Sequence, residues 1–469
     1  MALPKNYTQS HKLLSDMLRA GESFDLMDRA IDIGGRRASL FFIDGMVKDE
    51  VMEKIMEFFY AVENFNDLHD AEAFMKKRVP YVEVAVEDDP QKICADILSG
   101  IMMLIIDGYE AAISLDVRTY PARETAEPEK DKVLRGARDG FVETLVMNTA
   151  LIRRRVRDPN LTMRIFSVGS RSKTDVVVCY MDDKVDHKLL KGICDKIQSV
   201  KVESLTMSQQ SLAEAIYRHR WYNPFPKFKY SERPDTAAAS VLEGNIVILV
   251  DNSPSAVILP TSIFDVMEEA DDYYFPPITG TYLRLSRYIV TFVTLILTPA
   301  WLLFLQSPQL TPSWLQFILI DDPINVPVLW QLLILELAID GLRLASVNTP
   351  TTLSTSLSVI AAIVVGDFAV QSGWFNAETL LYMAFVAIAN YSQPSLELGY
   401  ALKFLRMILL VLTALFRLWG FIAGLVLVFL LLACNRTISG KSYLYPLIPF
   451  HGKALLDRFV RRRLPKQEH

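Results

Sequence analysis

Glu336, Asp340 and Arg343 lie inside the apolar run LILELAIDGLRLASVNTP at residues 333–350. Spaced at i, i+4 and i+7, they share one face of a helix. A charge at the centre of a bilayer costs about 2.5–3.5 kcal/mol even on the mild insertion scale, so ionisable groups there face a partner or a wet cavity. Arg343 neutralises one acid at most. The second carboxylate needs water, a cation, a proton or a residue of another subunit. The face therefore packs an intersubunit salt bridge at the membrane surface, reaches the headgroups, or borders an aqueous path in which carboxylates favour cations.

The surrounding charges sharpen the question. Between Tyr288 and Leu402 there are seven acids, Asp321, Asp322, Glu336, Asp340, Asp367, Glu378 and Glu397, and one base, Arg343. Asp367 follows Gly366 in IAAIVVGDFA, a small-residue stretch that allows close helix approach. A Gly-Asp step there either breaks the helix beside a cavity or marks a helix end near the headgroups. Gly366 and Ser358 are accordingly candidates for a constriction, and Asp367 joins Glu336, Asp340 and Arg343 as a candidate for the ion pathway or intersubunit charge site.

Other chemistry finds little footing. The sequence holds no P-loop, GxGxxG, GxSxG or HExxH, which leaves an enzyme, a cofactor and nucleic-acid binding unsupported. Cys94, Cys179, Cys194 and Cys434 show no CxxC spacing, so reduced thiols are expected and no metal site. Asp88-Asp89, Asp182-Asp183 and Asp271-Asp272 read as turn residues, and His187 and His219 as surface histidines.

The chain that must position these groups is lopsided. Residues 1–283 carry 35 Lys and Arg against 45 Asp and Glu, whereas residues 284–469 carry 14 against 9, with long uncharged stretches. The N-terminus lacks the apolar core of a signal peptide, so residues 1–283 are expected to stay cytosolic. They alternate strand-like and helix-like patterns. Residues 48–65 have helical spacing, residues 101–117 form two apolar runs joined by Asp107-Gly108, and residues 245–260 read as a hairpin around DNSP. RETAEPEKDK at 123–132 marks a boundary, the three-proline stretch at 223–240 reads as a loop, and no internal repeat is evident. The fold class is thus a membrane protein. A cytosolic α/β region of two subdomains, 1–125 and 126–283, precedes an α-helical transmembrane domain, 284–450, and a basic cytosolic tail, 451–469.

About four spans plus re-entrant or interfacial helices are expected. Residues 288–306 give 19 positions without a charge, enough for one crossing. Residues 326–346 and 353–374 supply two more, residues 379–393 dip in without crossing, and the 34-residue stretch 402–435 begins as an interfacial helix. Arg284 and Arg287 on one flank, and Lys441, Lys453, Arg458 and Arg461–Arg463 on the other, put both termini in the cytosol. The tail suits an anionic inner leaflet or serves as an ordinary positive flank.

Four stretches carry a resemblance: EKDKVLRGARDGFVETLVMNTALIRRRVRDPNL at 129–161, VLEGNIVILVDNSPSAVILPTSIFDVMEEADDYYFPP at 241–277, LELAIDGLRLASVNTP at 335–350 and IAAIVVGDFAV at 360–370. With them the sequence resembles the A subunits of spore germinant receptors, over about residues 25–450. The uncharged TPTTLSTS after the second span and SQPSLELGYALKFLR favour the branch of stage V sporulation protein AF. The resemblance implies a multi-pass protein of the spore inner membrane that assembles as a ring-shaped homo-oligomer with a second membrane subunit. It implies release of monovalent cations during germination and contact with germinant receptors. The alternatives are a non-conducting receptor or scaffold whose soluble domain binds a ligand or partner, and a secondary transporter, for which no inverted repeat speaks.

Overall fold

The computed structural model describes residues 2–120, 135–218, 221–348 and 368–461. The chain divides into two compact units, Met1–His219 with Phe228–Pro260, and Arg220–Lys227 with Thr261–His469. The sheet-bearing unit therefore ends at Pro260, ahead of the expected boundary at residue 283. The proposed linker at 123–132 lies outside the described residues.

The first unit opens with α1 (Tyr7–Leu18), whose cap Asn6 accepts the backbone N–H groups of Thr8 and Gln9. Strands β1 (Leu26–Ile33) and β2 (Arg36–Ile43) follow, joined at Gly34-Gly35, where both residues have positive φ. Only glycine takes that pair of conformations without strain, and the tight turn sets the register from Leu26 opposite Ile43 to Ile33 opposite Arg36. Next come α2 (Asp49–Tyr60), α3 (Ala71–Arg78), β3 (Val84–Glu87), α4 (Pro90–Leu98), β4 (Met102–Ile106) and β5 (Ala112–Leu115). Helix α4 starts on Pro90, behind the Asp89 carboxylate that accepts Gln91 N–H.

The sheet order is β1-β2-β4-β5-β3, antiparallel throughout. Strand β2 is buried on both faces, so its side chains alternate between two cores. Ala38, Leu40 and Phe42 pack with Ile55, Phe59 and Phe74 of α2 and α3, while Phe41 and Ile43 pack with Leu14, Leu18, Ile93 and Ile97 of α1 and α4.

A second round repeats the plan. It runs α5 (Leu145–Arg155), β6 (Leu161–Val168), β7 (Thr174–Met181), α6 (His187–Ser199), α7 (Ser208–Ile216), β8 (Lys229–Ser231), α8 (Pro234–Leu242), β9 (Ile246–Val250) and β10 (Ala256–Leu259). Its sheet order, β6-β7-β9-β10-β8, reproduces that of the first sheet. The expectation of no repeat is thereby corrected: the repeat lies in topology rather than in matching residues. The three-proline stretch at 223–240 is corrected as well, because it contains β8 and the start of α8. Pro234 sits at the first helical position, where its fixed φ and missing N–H suit a helix start.

Two reciprocal ion pairs join the rounds. Arg153 of α5, 2% exposed, donates from Nε to Asp25, 1% exposed, at 2.7 Å, and from Nη2 to the Leu161 carbonyl at 2.9 Å. In return, Arg19 at the end of α1 pairs with Asp182 after β7 at 2.7 Å. Asp182 is thus a structural ion-pair partner.

The second unit is helical: α9 (Ile263–Val266), α10 (Asp271–Tyr274), α11 (Pro277–Gln306), α12 (Val328–Asn348), α13 (Ala377–Tyr391), α14 (Leu396–Ala433) and α15 (Gly452–Phe459). Among the described residues, α11 and α14 are long and apolar enough to cross a membrane. Pro299 is accommodated within α11. Helix α14 is two arms rather than a span behind an interfacial helix. The chain reverses at Arg417, with φ 52° and ψ −128°. Gly420 then lies so close to Leu412 that a Cβ there would sit 1.9 Å from the Leu412 carbonyl oxygen.

Cross-links fix the direction of each helix. Thr291 bonds Gln393, Arg406 donates to the Thr294 carbonyl and Gln306 to the Ala414 carbonyl, so α11 and the first arm of α14 run alongside in the same sense. Helix α12 runs against them. At one end of α13, Asn376 is bonded to Gln331 of α12; at the other, Gln393 meets Thr291. The helix Ala377–Tyr391 is thus tied at its start to α12 and just past its end to α11.

Candidate functional site

Glu336 and Asp340 face the first arm of α14, as their one-turn spacing dictates. Glu336 is 2% exposed. Its Oε1 accepts a hydrogen bond from Arg406 Nε at 2.7 Å, a charge-assisted contact, and the same oxygen lies 2.6 Å from Nη2 as an ion pair. Lys403 bonds the Asp340 carboxylate, donates to the Glu336 carbonyl at 3.1 Å and stands 3.7 Å from Glu336 Oε2. Arg406 is fully buried and spends Nη1 on the Thr294 carbonyl of α11, 3.2 Å away. Two acids and two bases thus lock three helices into a formally neutral quartet.

This corrects the expectation that Arg343 is the neutralising group and that one acid stays unmatched. The acid-rich stretch ends at Leu402, and the two compensating cations stand immediately beyond it, at 403 and 406. Arg343 takes another place: its guanidinium carbon lies 5.3 Å from the Tyr391 ring centroid and 5.5 Å from that of Tyr400. Ser358, Gly366 and Asp367 lie outside the described residues. Of the quartet, Asp340 alone keeps appreciable contact with the outside, at 28% side-chain exposure.

The flanking charges are also used internally. Arg284 pairs with Glu268 at 3.1 Å and Asp272 at 3.3 Å, and Arg287 with Glu269 at 2.6 Å and Asp272 at 2.9 Å. Arg458 of α15 pairs with Asp265 at 2.6 Å and Glu268 at 2.9 Å. Arg461 donates to the carbonyls of Tyr273 and Phe275. The tail residues Arg458 and Arg461 are therefore docked on the start of α11 instead of being free for a lipid surface, and Asp272 is a buried partner of arginines rather than a turn residue. Among the described residues no cluster of His, Cys, Asp and Glu is arranged to hold a metal ion.

Comparison with known proteins assigns the sequence to a family. A family model described as Bacillus/Clostridium GerA spore germination protein matches residues 13–469. The chain belongs to the GerA spore germination family. This GerA-family chain is 36% identical over 462 residues to stage V sporulation protein AF of Bacillus subtilis, covering 98% of this chain and 93% of that one. Spore germination protein KA of the same organism is 26% identical, with 98% and 84% covered. Among solved structures, the N-terminal domain of the A subunit of the Bacillus megaterium spore germinant receptor GerK3 matches at 24% identity with a TM-score of 0.43, covering 55% of this chain and 96% of that one.

The spacing put Glu336, Asp340 and Arg343 on one helix face but missed Lys403 and Arg406, which the structure brings to the two acids. Their i, i+3 spacing on α14 matches the i, i+4 spacing of the acids. That complementarity was the available signal.

Proposed function

We propose that this GerA-family chain acts in spore germination as a subunit of an oligomeric assembly of the spore inner membrane that passes monovalent cations. Its role is not enzymatic. The observation that carries the reading is the division within the quartet: Glu336 is locked by Arg406, whereas Asp340 keeps its carboxylate at the open edge of the same cluster. Repeated around a ring of copies, with a second membrane subunit alongside, Asp340 would supply one carboxylate per copy to a shared aqueous path. Glu336 and Arg406 hold the helix that presents it. Amplification of a signal begun at a germinant receptor suits the chain's likeness to stage V sporulation protein AF.

An even number of passages would leave both termini cytosolic. The two arms of α14 would count as separate passages.

A second reading draws support from the quartet's neutrality. Carboxylates matched by Lys403 and Arg406 within one chain can serve solely to assemble the bundle, which suits a non-conducting receptor or scaffold whose sheet-bearing unit binds a ligand or partner. Potassium flux through the reconstituted complex separates the two. The conducting reading expects Asp340→Asn to reduce flux while the assembled protein stays in the membrane. A complex that passes neither potassium nor sodium under any germination trigger would leave the scaffold reading standing.

A further inference from the structure

Arg343 differs from the two bases of the quartet and from Arg284, Arg287 and Arg458. Among the described residues, Arg284, Arg287, Lys403, Arg406 and Arg458 each have a carboxylate within 4.0 Å, and Arg343 has none. Its recorded side-chain neighbours are instead two aromatic rings, Tyr391 at the end of α13 and Tyr400 in α14. Tyr400 is itself backed by Phe404, with ring centroids 6.3 Å apart and planes inclined by 29°. A guanidinium is attracted to the ring faces, which leaves its N–H donors, lying in its own plane, available to an anion.

The level of this group in the bundle narrows the anion. Gln393, two residues after Tyr391, is bonded to Thr291, one helical turn beyond Arg287 and its acidic partners. Arg343 thus lies about one turn inward from the polar end of the bundle, where tyrosines and long cations gather at a membrane boundary. Leu344, Ile388 and Phe404, one from each of the three helices, are exposed apolar side chains. A fork for an oxyanion with exposed hydrocarbon side chains around it matches a molecule with a phosphate head and acyl tails.

We propose that Arg343, braced by Tyr391 and Tyr400, binds the phosphate of a membrane phospholipid. The planar guanidinium takes two phosphate oxygens at once, and the acyl chains lie over Leu344, Ile388 and Phe404. Lipid binding at this site does not depend on conduction.

The test uses the full-length protein purified in detergent and titrated with phosphatidylglycerol, with retained lipid read by native mass spectrometry and stability by thermal unfolding. Wild type is expected to retain phosphatidylglycerol and rise in unfolding midpoint. Arg343→Gln should weaken retention about tenfold or more, and Arg343→Lys, which keeps the charge and loses the fork, should fall between. Diacylglycerol of the same chains, lacking phosphate, should be without effect. Equal retention by wild type and Arg343→Gln overturns the proposal, provided both variants elute identically by size. Should Arg343→Gln fail to fold, the Tyr391→Leu, Tyr400→Leu double substitution carries the same expectation, and undiminished retention by it overturns the site. Stabilisation by millimolar inorganic phosphate equal to that by the lipid overturns the lipid as the source.

Discussion

Replacing Arg406 by methionine removes the guanidinium that holds Glu336 and leaves the side-chain volume nearly unchanged. The carboxylate would stay 2% exposed, and its nearest remaining cation is Lys403, 3.7 Å from Oε2 and already committed to Asp340. Thr294 also loses the donor at its carbonyl oxygen. Breaking a buried pair from one side costs about 3–5 kcal/mol, because the surviving charge is neither hydrated nor matched. In a unit of this size that corresponds to a fall of about 6–20 °C in unfolding midpoint.

Removing both charges, Glu336→Gln with Arg406→Met, leaves the Lys403–Asp340 pair intact and no orphan charge. The double variant should recover much of the loss, giving a coupling energy of about 2 kcal/mol or more in the cycle of four proteins. The measurement is thermal unfolding of the four full-length proteins in identical nanodiscs, followed by tryptophan fluorescence. A drop of less than about 2 °C for Arg406→Met, or strict additivity in the double variant, would mean that water reaches these groups and that the quartet does not hold the bundle.

The α14 hairpin offers a paired comparison: Gly420→Ala puts a methyl against the Leu412 carbonyl oxygen, which is backbone, while Gly424→Ala meets only the Leu409 Cδ1 methyl at 2.3 Å. Gly420→Ala should cost about 1–3 kcal/mol and Gly424→Ala clearly less, read as unfolding midpoints; equal effects would refute the backbone contact. In the first unit, the Arg118 guanidinium, bonded to the Asp116 carboxylate, holds it below its ordinary value of 3.8. A depressed carboxylate contributes stability that is complete above the unfolded value and fades as pH falls through the folded one. For this partly exposed pair the contribution is below about 1 kcal/mol. Wild type should therefore lose slightly more stability than Asp116→Asn between about pH 5 and pH 3, by pH-dependent thermal unfolding, and identical acid limbs would refute the pairing.

Local signals and long-range ones fared differently in the sequence. Asp107-Gly108 between two apolar runs announced the β4–β5 hairpin because the signal is local, although residues 107–111 rather than a two-residue turn connect the strands. Helix α2 fell within residues 48–65 for the same reason, its apolar spacing being complete in itself. The Glu336–Arg406 pair spans 70 positions, and neither partner alone signals it. The hairpin in α14 was hidden because Arg417 is an unexpected residue for a positive φ, while the apolar composition continues unbroken through the turn. Gly420 and Gly424, one turn apart, were the trace that close backbone approach left behind. The repeated topology was invisible for another reason: equivalent strands need only be apolar to fill equivalent places, so unlike residues satisfy one plan.

The reciprocal arginines of the first unit bear on how such a protein can arise and be dissected. An ancestral doubling of one nine-element module would give two independent copies, free to be lost or exchanged. Once Arg153 had been sunk against Asp25, neither copy could be discarded without stranding a buried charge in its sibling. The two modules are consequently bound to be inherited, expressed and truncated as one.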